Sequence, residues 1–357
     1  MNAKCERINK HNYNCIDLFK LFAALLVVII HVNEVGSFIP DCIISSFSNF
    51  AVPFFFIVSG FFYKRGLDSR VALEDKKEYF LKYTRRLIII YLFYSIISLP
   101  SAILTYASKY AGISFVRLCM LLFRRYFICG SGVVWYLLAM VEAAVVLYFI
   151  DKYKTKTYPV LFVFIVIGLL LGLNYDCFGD VVSNNFLGII NKFFYTLFSW
   201  SNNFIMKAVP YMGIGYLFYV KKDRIHLNST ILCVFFGILS GLNISIFFIQ
   251  YFSDIAIFQH IYFSYIINIP QAILFFLIAI NIKTEINKNI SLIFRELSSS
   301  IFYLHTYFIY YVIDPILGVE SNFLFKFFIA VFASITVYII VKKLRIKPLM
   351  YVLNIRN

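Results

Sequence analysis

Charge is scarce in this 357-residue chain. Asp, Glu, Lys and Arg make up 14% of it, while 61% is hydrophobic; soluble domains carry about 25% charged residues. That scarcity excludes an ordinary soluble fold and points to a polytopic membrane protein. Acidic residues are the scarcer sign, 18 against 33 Lys and Arg, for a net charge of +15. Such an excess can mark a nucleic-acid binder. Here the basic residues sit in short loops between apolar runs, so membrane topology accounts for them and no nucleic-acid partner is expected. The seven cysteines (Cys5, Cys15, Cys42, Cys119, Cys129, Cys177 and Cys233) are scattered, odd in number and without CxxC spacing. They form neither a metal-site pattern nor a disulfide framework, although a Cys42–Cys177 bridge on the outer side is one pairing to check. HExxH, GxSxG and P-loop patterns are missing, which removes support for zinc peptidase, α/β-hydrolase and NTPase readings. No internal repeat, low-complexity tract or pair of interrupted helices of the secondary-transporter kind is evident. The first apolar run is too long for a signal-peptide core and lacks a clear cleavage site, so it reads as a retained span.

What the chain has is apolar runs close to the roughly 20 residues needed to cross a bilayer. They fall at about 15–37, 43–63, 86–108, 132–151, 157–174, 204–220, 229–250, 260–282, 296–316 and 322–341. The expected fold is all-α: a polytopic integral membrane helical bundle of about ten transmembrane helices, as one membrane domain over 1–357. With the N-terminus inside, the inner segments hold 25 of the 33 basic residues and the outer loops five. The segment 1–14 and the basic tail 342–357 are therefore both expected in the cytoplasm. The outer loop 109–131 contains the amphipathic SFVRLCMLLFRRYF. It reads as an interfacial helix whose Arg117, Arg124 and Arg125 either anchor it to the surface or meet an anionic or sugar substrate. The longest outer connection, about 175–203, is partly apolar and has room for a short re-entrant or interfacial helix.

The first span carries the most informative pattern. Lys20 and His31 are eleven positions apart, which returns them to within roughly 20° of one helical face and separates them by about 16 Å. Asp17 and Glu34 fall near the same stripe. Ionisable groups in a bilayer cost about 2.5–3.5 kcal/mol each, so this stripe should line an internal or watery cavity. His31 has the chemistry of a general base at neutral pH; the alternative is a histidine hydrogen-bonded between helices. Lys20 either snorkels to the interface or meets a phosphate-bearing ligand. Glu34 either orients the imidazole or partners Lys207. Lys82, Arg85 and Arg86 open the third span at i, i+3 and i+4, as a topology signal or as a pyrophosphate contact. Trp135 and Tyr136 are interface aromatics or sugar-stacking residues. Ser59 reads as a small residue permitting close helix packing, and His305 as a packing or cavity-lining residue.

Five stretches in order carry a resemblance. They are IDLFKLFAALLVVIIHV (16–32), FAVPFFFIVSGFF (50–62), FLKYTRRLIIIYLFY (80–94), GVVWYLLAM (132–140) and LSSSIFYLHTYFIYYV (297–312). Together they resemble the membrane acyltransferase 3 family, in which a basic residue precedes the active-site histidine by eleven positions. Lys20 stands where arginine is common, which keeps the charge and loses the bidentate fork. The family's Arg-x-x-Arg maps onto Lys82 and Arg85, or ends at Arg86. The resemblance implies acetyl-CoA or another acyl-CoA as co-substrate, bound from the cytoplasm with its phosphates near Lys20, Lys82, Arg85 and Arg86, and no metal. It implies His31 as base or transient acyl carrier; Glu34, one turn away, is the candidate by spacing to assist it. The acceptor would be a glycan or lipid-linked saccharide hydroxyl on the outer side; of the residues read above, Trp135, Tyr136 and His305 are the candidates to contact it. The setting would be a bacterial cytoplasmic membrane with its lipids. With no hydrolase, SGNH-type or racemase stretch in the sequence, activity is expected in the helical domain or through a separate partner. A transporter using the same cavity without acyl chemistry is the rival reading, and a non-catalytic scaffold a weaker third.

Overall fold

A computed structural model of the chain describes residues 13–32, 38–110, 112–130, 132–153, 157–178, 186–198, 201–225, 227–252, 263–282, 286–317 and 322–356. Among these the regular structure is entirely helical. The principal helices are α1 (Cys15–Val32), α2 (Phe38–Ile43), α3 (Ala51–Asp68), α4 (Leu73–Lys109), α5 (Phe115–Phe123), α6 (Trp135–Lys152) and α7 (Thr157–Phe178). They continue with α8 (Phe186–Phe198), α9 (Val209–Val220), α10 (Ser229–Phe252), α11 (Ser264–Asn281), α12 (Lys288–Phe308), α13 (Phe323–Leu344) and α14 (Lys347–Val352).

Among the described residues seven helices are long and apolar enough to cross a membrane, rather than about ten. Three further expected spans are present as helices but fall short of that standard. α6 carries Glu142, Asp151 and Lys152. The apolar Phe204–Val220 is shorter. α12 contains Lys288, Arg295 and Glu296. α4 starts at Leu73, thirteen residues before the expected 86. Its early part is charged but rich in helix formers, and Glu78 and Lys82 pair at i,i+4, 2.5 Å apart. At about 1.5 Å per residue this helix is some 55 Å long, well over the roughly 30 Å hydrocarbon core, so it projects into water. The expected helices in 109–131 and 175–203 are α5 and α8. No disulfide joins Cys42 to Cys177.

Packing is closest between α3 and α9. A Cβ added to Gly60 would lie 1.9 Å from the Met212 carbonyl oxygen, and one added to Gly215 would lie 1.9 Å from that of Ile57. The two backbones therefore touch, as small residues allow in membrane helices. That role belongs to Gly60 rather than Ser59, whose hydroxyl donates to the Phe55 carbonyl and pairs with Tyr136. At one end of the bundle, buried Asp151 accepts from Lys64, Lys76 and Tyr216, joining α6 to α3, α4 and α9. Asn243 of α10 donates to Asn268 and Gln271 of α11, and Gln271 donates to the Ser46 carbonyl in the π-turn Ile44–Ser48. Such internal partners are what polar groups require where lipid offers none.

Candidate functional site: two cavities along the first helix

α1 lies against α12, and a buried carboxylate fixes their contact. Asp17, 2% exposed, accepts from Ser291 at 2.6 Å and from Arg295 Nη2 at 2.7 Å, and pairs with Lys20 at 3.2 Å. Two cations on one carboxylate leave an uncompensated positive charge. Lys20 and Arg295 line one cavity of about 160 Å³ together with Ser59, Tyr136, Ser298, Ser299 and Asn354. Arg86 reaches its edge: it donates to Asn354, whose amide donates to Ser299 at 3.1 Å. Lys82 is not brought there. It is 74% exposed and held by Glu78. Arg85 is exposed on the same projecting helix. Of the expected phosphate contacts, the structure gathers Lys20 and Arg86 and leaves Lys82 and Arg85 on the approach.

His31 lines a second cavity, of about 260 Å³, at the other end of α1. Trp135, Asn202, Asp176, Lys207 and Tyr211 also line it. Asp176 binds Lys207, so this wall is internally neutralised and Lys207 has a partner other than Glu34. Glu34 itself lies outside the described residues. His31 Nδ1 is 3.3 Å from the Tyr310 hydroxyl, and its ring centroid is 5.2 Å from that of His305. His305 is fully buried. Its Nδ1 lies 2.8 Å from the Ile301 carbonyl, an acceptor only, so Nδ1 carries the proton and Nε2 keeps its lone pair. That Nε2 has no hydrogen-bond partner among the described residues. A buried acceptor left without a partner is costly.

Aromatic rings fill the space between the cavities. Phe55, Tyr136 and Phe302 line the Lys20 cavity and contact one another, with centroids 5.2 Å apart for Phe55–Phe302 and 5.4 Å for Tyr136–Phe302. Phe56, on the His31 side, packs against Tyr136 with centroids 4.4 Å apart and ring planes tilted by 40°. Tyr136 is thus a buried septum residue and not an interface aromatic. Trp135 is on the His31 side, held by a tight turn. Gly130 has φ +76°, and a Cβ there would come within 2.5 Å of Trp135 Cα.

Sequence reading missed Arg295 and the septum. In the sequence Arg295 directly precedes the expected span 296–316 and reads as one more inner-side topology charge. Its place one position before Glu296, on a helix with serines at 298–300, was the available signal. The septum had none, because 42 phenylalanines and 27 tyrosines conceal any three.

Comparison with known proteins gives two findings. An acyltransferase-domain family profile matches residues 13–343. An amino-acid racemase of Enterococcus faecalis is 23% identical over 336 residues, covering 91% of this chain and 45% of that protein. The chain thus spans less than half the length of this relative. No solved structure matches.

Proposed function

This chain belongs to the acyltransferase 3 family, and on that premise we propose that it moves an acetyl or short acyl group from cytoplasmic acyl-CoA to a hydroxyl of a cell-envelope glycan or related acceptor. The observation that carries the reading is the division of labour along α1. Lys20 opens into a cationic cavity and His31 into a separate cavity with Trp135. By helix rise they are about 16 Å apart, roughly the reach of an extended pantetheine arm by backbone-length comparison, and in this reading the Phe55, Tyr136 and Phe302 rings part to let the arm through.

In this reading Lys20, Arg295 and Arg86 meet the donor's phosphates, while Lys82 and Arg85 draw the anion along the projecting helix. His31 removes the proton of the acceptor hydroxyl as its oxygen attacks the thioester carbonyl. A C–O bond forms, the C–S bond breaks, and the departing thiolate takes up a proton, so none is consumed overall. Tyr310 orients the imidazole through Nδ1. The His305 lone pair is a second base beside it, and Trp135 offers a face on which a sugar can stack. The membrane is that of a bacterial cell.

The test is label transfer from radiolabelled acetyl-CoA into envelope glycan, with membranes containing wild-type protein or His31→Ala. Protein-dependent label that vanishes in the variant is the expected result. Unaltered transfer in the variant removes His31 from the chemistry. Two cavities parted by a septum also suit a transporter. That reading requires substrate to move into vesicles without acyl-CoA.

A further inference from the structure

The His31 cavity continues past Trp135 and Asn202 into a wider space lined by Arg124, Arg125, Tyr106 and Tyr310. His31, Trp135 and Asn202 border both parts. The two arginines come from the π-turn Arg124–Ile128 that continues α5. This turn is pinned by Tyr126, buried to 7% exposure. Its carbonyl accepts from Tyr91 and its hydroxyl pairs with Ser98 at 3.1 Å, both on α4. A surface anchor has no need of such fixation, and free snorkelling would place the guanidiniums in the headgroups.

Among the described residues the charge on this wall is uncompensated. Arg124 donates Nη2 to the Tyr195 carbonyl at 3.1 Å, and Arg125 lies over the Tyr106 ring, 5.9 Å from its centroid. Neither forms an ion pair with a carboxylate among the described residues. The Nε atoms of both are buried and have no hydrogen-bond partner there. Asp176, the carboxylate among the described lining residues of the joined cavity, is already held by Lys207. Two adjacent guanidinium forks with unused donors match the planar or tetrahedral oxyanions of carboxylate and phosphate.

We propose that Arg124 and Arg125 form an anion subsite for the acceptor, so that the hydroxyl presented to His31 belongs to a saccharide carrying a phosphate or carboxylate group. The subsite rests on the acyltransferase reading only for its purpose; the binding itself does not need the reaction. It selects acceptors by charge, with the sugar ring between the arginines and His31 and against Trp135.

Trp135 supplies the readout. The chain has two tryptophans, so the emission of Trp135 can be isolated in a Trp200→Phe background. The full chain in lipid nanodiscs is titrated with glucose 1-phosphate, glucuronic acid and glucose. The charged sugars should shift the emission saturably, with Kd at least about tenfold below that of glucose. Going from about 0.05 M to about 0.5 M salt should weaken the charged sugars and leave glucose unchanged. Arg124→Gln with Arg125→Gln should raise Kd for the charged sugars at least about tenfold, and lysine at both positions should restore part of it. A response to glucose 1-phosphate alone identifies phosphate, and to glucuronic acid alone carboxylate. Equal binding of all three sugars without salt dependence overturns the subsite, whether or not the variants fold; so does unchanged affinity in the double glutamine variant. Saturable anion binding with no acetyl transfer in any acceptor fraction would sink the acyltransferase reading alone. Acetyl transfer at equal rates to neutral and charged saccharides would sink the anion subsite alone.

Discussion

Trp135 and Tyr136 are neighbours on α6 and open into different cavities, Trp135 beside His31 and Tyr136 beside Lys20. A 100° step per residue is enough to send adjacent side chains to separate compartments. Substitutions at the two positions should therefore fail differently. Trp135→Ala should weaken acceptor use and leave KM for acetyl-CoA near the wild-type value. Tyr136→Phe should keep the septum and cost only the Ser59 hydroxyl contact. Steady-state kinetics with each substrate varied in turn separates the two.

Tyr310→Phe removes the group 3.3 Å from His31 Nδ1. One neutral hydrogen bond contributes about 0.5–1.5 kcal/mol, so kcat should fall roughly two- to tenfold. A rate equal to wild type would show that the imidazole is oriented by other contacts.

Asp17→Asn should be the most destabilising polar change on α1. It strips the counter-charge from Lys20 and Arg295 at a position 2% exposed. Breaking a buried pair by removing one partner costs about 3–5 kcal/mol, with the lower end expected because the Arg295 side chain is 34% exposed. A thermal melt in detergent reports it, and an unchanged midpoint refutes the anchoring role.

Lys20→Met and Lys82→Glu should separate cavity from approach. Lys20 faces the Lys20–Arg295 cavity, whereas Lys82 is 74% exposed and screened by solvent and by Glu78. Loss of Lys20 should raise the Kd for acetyl-CoA about tenfold or more, and reversal at Lys82 less than about threefold. Equal effects would make the whole basic surface the binding site.

Gly60→Ala and Gly215→Ala should abolish folded protein, since either added methyl meets backbone at 1.9 Å. Gly237→Ala, also within a long apolar helix, meets nothing within 4 Å and should be tolerated. Size-exclusion profiles of the three variants test this, and a monodisperse Gly60→Ala peak contradicts the close approach.

Most of the fold was legible because hydropathy records what lipid demands of each segment. The limits of the helices were less so. No continuous apolar run marks residues 73–85, which are helical through propensity and i,i+4 pairing in water, and α12 begins at Lys288, eight residues before the expected 296, where the Asn287 side chain caps it by accepting from the Asn289 amide. At the candidate site, the Lys20–His31 spacing carried real geometric content because both lie on one helix. The other partners come from distant segments: Arg295, His305 and Tyr310 join α1 across more than 270 residues, and no local period encodes that. Arg124 and Arg125 were visible as an amphipathic loop, but which side of it faces the cavity depends on the π-turn and on Tyr126.

The edge-to-face cluster of Phe55, Tyr136 and Phe302 has an electrical consequence. A membrane that stores energy as an ion gradient tolerates no standing conduit, and two polar vestibules aligned across it would short that gradient if water joined them. With these three rings in contact, the resting protein is expected to be an insulator. A bilayer containing it should conduct no better than lipid alone, and a smaller side chain at Phe302 would show as leak current before it showed as altered chemistry.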